Sequence, residues 1–148
     1  MPRLYRQAPL NSIWEGSGNV ICLDILRALG REPESATALF AELGAAMGAD
    51  ARYDALIASL QADLASGQGD PSLLEARARC FADKLAVALQ ASLLLSGGDD
   101  TAAAAELFCA TRLGRGVGVG FNYGATLDAE GVGGGVIDGV LDRAVPRL

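Results

Sequence analysis

Apolar side chains recur at spacings of three and four along most of this chain, in stretches that glycine repeatedly closes. That period belongs to the α-helix, whose turns bring residues i, i+3 and i+4 onto one face. Val20, Ile21, Leu23, Ile25, Leu26 and Leu29 form a first stripe, closed by Gly30, with Ser17 or Asn19 as N-cap. Pro33 suits the first turn of a second helix, which presents Ala36, Leu39, Phe40, Leu43 and Met47 and ends at Gly48. Asp50 can cap a third, with Tyr53, Leu56, Ile57, Leu60 and Leu64 inward, closing in a loop at Ser66, Gly67, Gln68 and Gly69. Asp70 and Pro71 open a fourth that carries Glu75 near its start and runs through Phe81, Leu85, Leu89 and Leu93 to Gly97 and Gly98. A fifth begins at Asp99 or Asp100 and continues through Leu107, Phe108 and Thr111.

Alanine and leucine dominate the apolar half of the 148 residues, and only 5% are aromatic, which favours helices over strands. Glycine changes the pattern after Gly114. Gly116, Gly120 and Gly124 recur every four residues, and Gly131, Gly135 and Gly139 repeat that spacing. A helix there would present a groove free of side chains, and each interior glycine costs about 0.5–1 kcal/mol against alanine, so close packing must offset it. The expected fold is all-α: an antiparallel bundle of five to six helices joined by short loops. It forms one domain over residues 1–148, with an irregular segment at 1–16, the bundle at 17–128 and a glycine-rich segment at 129–148.

A formal charge of -6, with no block of basic residues, gives little attraction to a polyanion, so nucleic acid is not an expected partner. With no histidine, Ser-His and Cys-His nucleophiles and most zinc and haem sites are excluded within the chain. Cys22, Cys80 and Cys109 are widely spaced and odd in number, which fits buried thiols in a reducing, cytoplasmic compartment. No apolar run is long enough for a membrane span.

The densest group of unusual residues runs from Ala8 to Asn19 and contains Asn-Ser-Ile-Trp-Glu-Gly-Ser-Gly-Asn. Apolar neighbours such as Ile13 and Trp14 disfavour the charged form of the Glu15 carboxyl, which suits it to take a proton from carbon. Gly16 lets the backbone turn sharply and lets a flat ligand approach. On these residues alone, Glu15 reads first as a loop carboxylate or a helix N-terminal partner and only second as a base, and Trp14 as a core anchor. Arg3 and Arg6 read as solvated charges.

From Pro2 to Leu29 the sequence resembles the acyl-CoA dehydrogenases, in which an aromatic-Glu-Gly-Ser/Thr motif precedes a long helix of the C-terminal bundle. Asn-Ser-Ile-Trp-Glu-Gly-Ser-Gly-Asn, followed by Cys22-Leu23-Asp24-Ile25-Leu26-Arg27, is most similar to that family's alkylation-response AidB branch. The resemblance implies that Glu15 removes the α-proton of an acyl thioester while the β-hydrogen leaves as hydride to a flavin, giving a 2-enoyl thioester. It places Trp14, Gly16, Ser17 and Asn19 against an FAD cofactor. It further implies partner domains, an N-terminal helical one and a β-barrel, together with an acyl-CoA-type substrate and a homo-oligomer. A flavin site built from several domains is not complete in this stretch, so the chain is expected to be inactive alone. Ser17-Gly18-Asn19 departs from the mainstream motif, which leaves two alternatives: a structural or oligomerisation module without catalysis, and an AidB-type DNA-associated protein. Against the latter, Arg112, Arg115, Arg143 and Arg147 are outnumbered after residue 101 by Glu106, Asp128, Glu130, Asp138 and Asp142.

Overall fold

A computed structural model describes residues 2–12, 18–113 and 133–144, except for the side chains of Asn11, Ser12 and Gln68. The described residues form an all-α bundle with eight α-helices and no strand. The helices are α1 (Pro2–Gln7), α2 (Gly18–Arg31), α3 (Pro33–Gly44), α4 (Ala51–Gly69), α5 (Pro71–Ala76), α6 (Ala78–Leu95), α7 (Ala102–Arg112) and α8 (Gly134–Ala144).

The fold centres on α4. Its apolar residues at 53, 56, 57 and 60 share one face, and all four are buried as expected. Asp50 caps the helix, accepting from the backbone N–H groups of Arg52 at 2.7 Å and Tyr53 at 3.4 Å. The fully buried Tyr53 hydroxyl donates to the Leu43 carbonyl at 2.7 Å, which ties α4 to the end of α3. Against this face lies α6, antiparallel to it, since Arg77 at its start meets Asp63 and Ser92 near its end meets Tyr53. The buried face of α6 is made largely of alanines at 78, 82, 88 and 91, with Phe81 and Val87 among them, whereas Leu93 is 59% exposed. Small residues let the two helix axes approach closely.

Several boundaries differ from the sequence expectation, each for a physical reason. Residues 2–12 are not irregular but form α1 and a 3-10 turn, Ala8–Ser12. Pro2 occupies the first position of α1, where a missing N–H costs nothing, and the helix buries no residue, so no apolar pattern announces it. Asn19 lies inside α2 rather than capping it. Gly30 also falls within α2, and the turn to α3 is made at Glu32, just before Pro33.

The α3 helix stops at Gly44, and a further turn runs to Gly48, whose φ of +84° lies in the left-handed region that favours glycine. That extra turn buries Ala46 in place of Met47, which is half exposed. The expected loop at 66–69 is instead the last turn of α4. Gly67 there is buried, and a Cβ on it would come within 2.6 Å of the Leu74 side chain, so the missing side chain admits α5 rather than ending the helix.

The fourth expected helix is divided. Asp70 caps it as expected, accepting from the Ser72 N–H at 3.0 Å, but the chain bends at Arg77 into α5 and α6. The bend lets Leu74 pack on Gly67 while α6 turns back along α4. After Leu95, a 3-10 turn at Gly98–Asp100 precedes α7, and the Thr101 hydroxyl donates to the Leu94 carbonyl at 2.7 Å.

The glycine spacing at 114–124 and at Gly131 lies outside the described residues, but Gly135 and Gly139 are part of α8. A Cβ at Gly139 would stand 3.0 Å from that of Ala103, so α8 packs closely on α7. Arg143 fastens it by donating to the Asp100 carbonyl.

Leu60, fully buried between α4 and its neighbours, and Met47, 48% exposed, separate two kinds of apolar residue that the sequence expectation treated alike. Replacing Leu60 with alanine is expected to cost about 2–5 kcal/mol, and Met47→Ala to stay within about 0.5 kcal/mol of the parent, in urea unfolding.

Candidate functional site

Of the five residues singled out by the motif, Trp14, Glu15, Gly16 and Ser17 lie outside the described residues. Asn19, in the first turn of α2, is described. It is exposed, and its Oδ1 accepts from Nε of Arg79 at 2.9 Å across a sequence separation of 60. Arg79 follows the first residue of α6, and its guanidinium also lies over Gly18, where a Cβ would be 2.9 Å from Nη2. Beneath this contact Cys22 is buried against Ala78 and Ala82, with Ile25 and Leu26 packed alongside. The start of α2 is therefore fixed to the start of α6 by small-residue packing below and a hydrogen bond above. No feature of the sequence marked Arg79, because a pairing between helices 60 positions apart leaves no local pattern.

The apolar stripe of α2 is only partly used. Ile25, Leu26 and Leu29 pack on the core, whereas Val20, Ile21 and Leu23 are 51%, 42% and 47% exposed, contrary to their expected place within it. Leu23, Leu26 and Leu29 also line a groove of about 570 Å³ that is closed on its other side by Leu64, Pro71 and Leu74. Its rim carries Asp24 and Arg27, which pair with each other at 2.6 Å while both remain more than half exposed. A pair so exposed contributes little to stability.

Two polar clusters elsewhere have structural roles. At the start of α4, Arg52 bridges Asp50, at 2.6 Å, and Glu106 of α7, at 2.7 Å, so that it clamps α7 over the cap. The Arg52 hydrogen bonds hold the Asp50 carboxyl below its ordinary range, and the two acids in turn raise Arg52. At mid-bundle Lys84, 6% exposed, donates to Asp63 at 2.6 Å and to Ser59 at 2.9 Å, with Arg77 flanking Asp63 at 3.5 Å. The ammonium is already shared with a carboxylate, so Ser59 has no free base beside it. The cluster joins α4 to α6 rather than activating a nucleophile.

All three cysteines are free thiols. Burial, with the nearby Asp50 carboxylate next in weight, pushes the Cys109 thiol up to about 11. Among the described residues, no three His, Cys, Asp or Glu side chains converge as metal ligands, and no helix is long and apolar enough to cross a membrane.

Two measurements check these environments. Because the folded Asp50 carboxyl is depressed, its contribution is fully present above the unfolded pKa of about 3.9 and is lost as pH falls through the lower folded value. Asparagine keeps the cap without the charge, so the stability gap between the parent and Asp50→Asn should narrow as urea titrations move from about pH 7 to about pH 3. In thiol labelling at about pH 8, the half-buried Cys80 should react first, and Cys109 only at the rate of unfolding.

Comparison with known proteins adds one similarity. Over 64 residues the chain is 44% identical to "Putative acyl-CoA dehydrogenase AidB" of Escherichia coli strain K12. The match takes in 43% of this chain and 12% of that protein, so the shared stretch is a small part of the relative's length. No family profile matches the chain, and no solved structure matches it.

Proposed function

We propose that this chain is the C-terminal helical part of a flavin-dependent, acyl-CoA dehydrogenase-like oxidoreductase, and that it contributes Glu15 to the active site without being active alone. The observation that carries this reading is the 44% identity to AidB over 64 residues, in a chain that also contains the aromatic-Glu-Gly-Ser motif. The motif, Trp14 to Ser17, immediately precedes the first described residue of α2, Gly18.

The described residues suit one wall of a flavin site. Asn19 presents an amide one turn before the exposed Leu23, a combination able to bond a polar ring edge and meet an apolar face. The rest of an FAD pocket, and the acyl-CoA site, would come from the helical and β-barrel domains of the whole protein. When bound, FAD supplies the hydride acceptor. Glu15 would take the α-proton of the thioester, and Gly16, Ser17 and Trp14 are the residues that would hold the ring or the acyl chain.

A module without catalysis is the second reading, supported by the same uncovered apolar residues of α2, which would then serve only subunit packing, as in a homo-oligomer. A DNA-associated role has no such support, given the net charge of -6.

The test uses the chain together with the remaining domains of its protein. A yellow preparation should bleach on addition of an acyl-CoA, and Glu15→Gln should slow bleaching by about 10²–10⁴-fold, the usual worth of a general base. Bleaching at the parent rate in that variant would reject Glu15. The isolated chain should show no saturable quenching of Trp14, its only tryptophan, on titration with FAD.

A further inference from the structure

We propose that the groove between α2 and the corner of α4 and α5 is a binding site for an aliphatic primary amine, taken with its chain along the leucines and its ammonium on Glu75. These residues are separate from the Trp14–Ser17 motif, so the site stands whatever the role of Glu15. The groove holds about 570 Å³, within the range of roughly 300–1,000 Å³ usual for small-molecule sites. Leu23, Leu26 and Leu29 of α2 form one wall, and Leu64 of α4 with Leu74 of α5 forms the other. The second wall is set by the fold, since α5 seats Leu74 in the space that Gly67 leaves by lacking a side chain. Leu23 is 47% exposed, so apolar surface on this face remains uncovered.

The class of ligand follows from the polar groups at the rim. Two carboxylates, Asp24 and Glu75, stand there against one guanidinium, that of Arg27. Arg27 is already shared with Asp24 at 2.6 Å, whereas Glu75 makes no hydrogen bond or ion pair among the described residues. The groove therefore offers an apolar interior and one unmatched negative charge, in a chain whose net charge of -6 also draws cations. Its complement is an apolar body with a single positive group. No aromatic residue lines the groove, so a quaternary ammonium would find no ring face to rest on. A primary ammonium donates hydrogen bonds to the carboxylate, and bonds assisted by charge are the stronger kind. A partner helix fits less well, because two turns of a helix about 10 Å across occupy about 800 Å³, more than the groove holds.

The test uses the full 148-residue chain at about pH 7, where carboxylates are ionised and an alkylamine is protonated, with NMR of the leucine methyl groups as readout. Hexylammonium should shift the methyls of Leu23, Leu26, Leu64 and Leu74 saturably, at a single site and with millimolar affinity, as expected of so small a ligand. It should bind about two- to fivefold tighter than hexan-1-ol, the margin that an exposed carboxylate supports, and hexanoate should bind more weakly than the alcohol. Hexyltrimethylammonium, which keeps the charge but has no N–H to donate, should fall below hexylammonium. Glu75→Gln should bring hexylammonium down to the level of the alcohol and leave the alcohol unchanged. Leu23→Gln, at an exposed position that folding tolerates, should weaken both by a similar factor. Far-UV dichroism should match the parent in both variants, so that lost binding is not lost structure. Hexanoate bound as tightly as hexylammonium, a preference for the amine that survives Glu75→Gln, or an unchanged affinity in Leu23→Gln would each overturn the proposal. So would methyl shifts that do not saturate or that spread evenly over the bundle.

Discussion

The burial of one face of α4 is the constraint from which the rest of the bundle follows. Tyr53, Leu56 and Leu60 lie almost wholly out of solvent, and a helix that buries such a row needs neighbours on both sides of it. On one side the Tyr53 hydroxyl reaches the Leu43 carbonyl, which fixes the end of α3; on the other α6 lies antiparallel, its alanines allowing close approach. The hydroxyl bond also satisfies a polar group that would otherwise cost about 1–3 kcal/mol to bury unpaired. Cys109 and Leu113 then bring α7 onto the same core, and α8 follows through Gly139 and Ala103.

Charges specify this packing more than they strengthen it. The Lys84–Asp63 pair is buried, and removing either partner of such a pair usually costs more than the intact pair contributes, because a charge is left unpaired in the interior. Its geometry admits a single register between α4 and α6, since a shift of one turn would carry Asp63 away from Lys84. Arg52 acts similarly at the other end of α4, where it links the cap to Glu106 and so sets where α7 lies. Both clusters are complete in themselves, and that is why neither is a candidate for chemistry.

What the sequence made legible is what local physics controls. The stripe of α4, the caps at Asp50 and Asp70 and the turn at Gly98 depend on residues within a few positions of each other, and all are found where expected. Misreadings arose where a distant partner decides the outcome. Gly67 looks like a helix stop until Leu74 is seen to occupy its missing side chain, and the break at Arg77 serves a packing between α5 and α4 that no window of sequence contains. Met47 and Ala46 exchanged roles because the left-handed turn at Gly48 draws the chain in one residue early. For the candidate site, the motif was legible as a string of residues, but Arg79 was not, since its only mark is a contact across 60 positions.

The same distinction bears on α2. A helix whose hydropathy is wide enough for two faces, but which buries only Cys22 and half-buries Ile25, Leu26 and Leu29, has more apolar surface than this bundle uses. Single exposed apolar residues are ordinary, whereas Val20, Ile21 and Leu23 leave both flanks of the same two turns uncovered. The proposed shared active site would require such an arrangement: the helix anchored from one side and left open on the other. The anchoring is supplied by Cys22 against Ala78 and Ala82, with Arg79 on Asn19 above, and the open side is where Val20 stands. An α2 buried on all sides would serve the stability of the bundle better and leave no surface for the proposed flavin site.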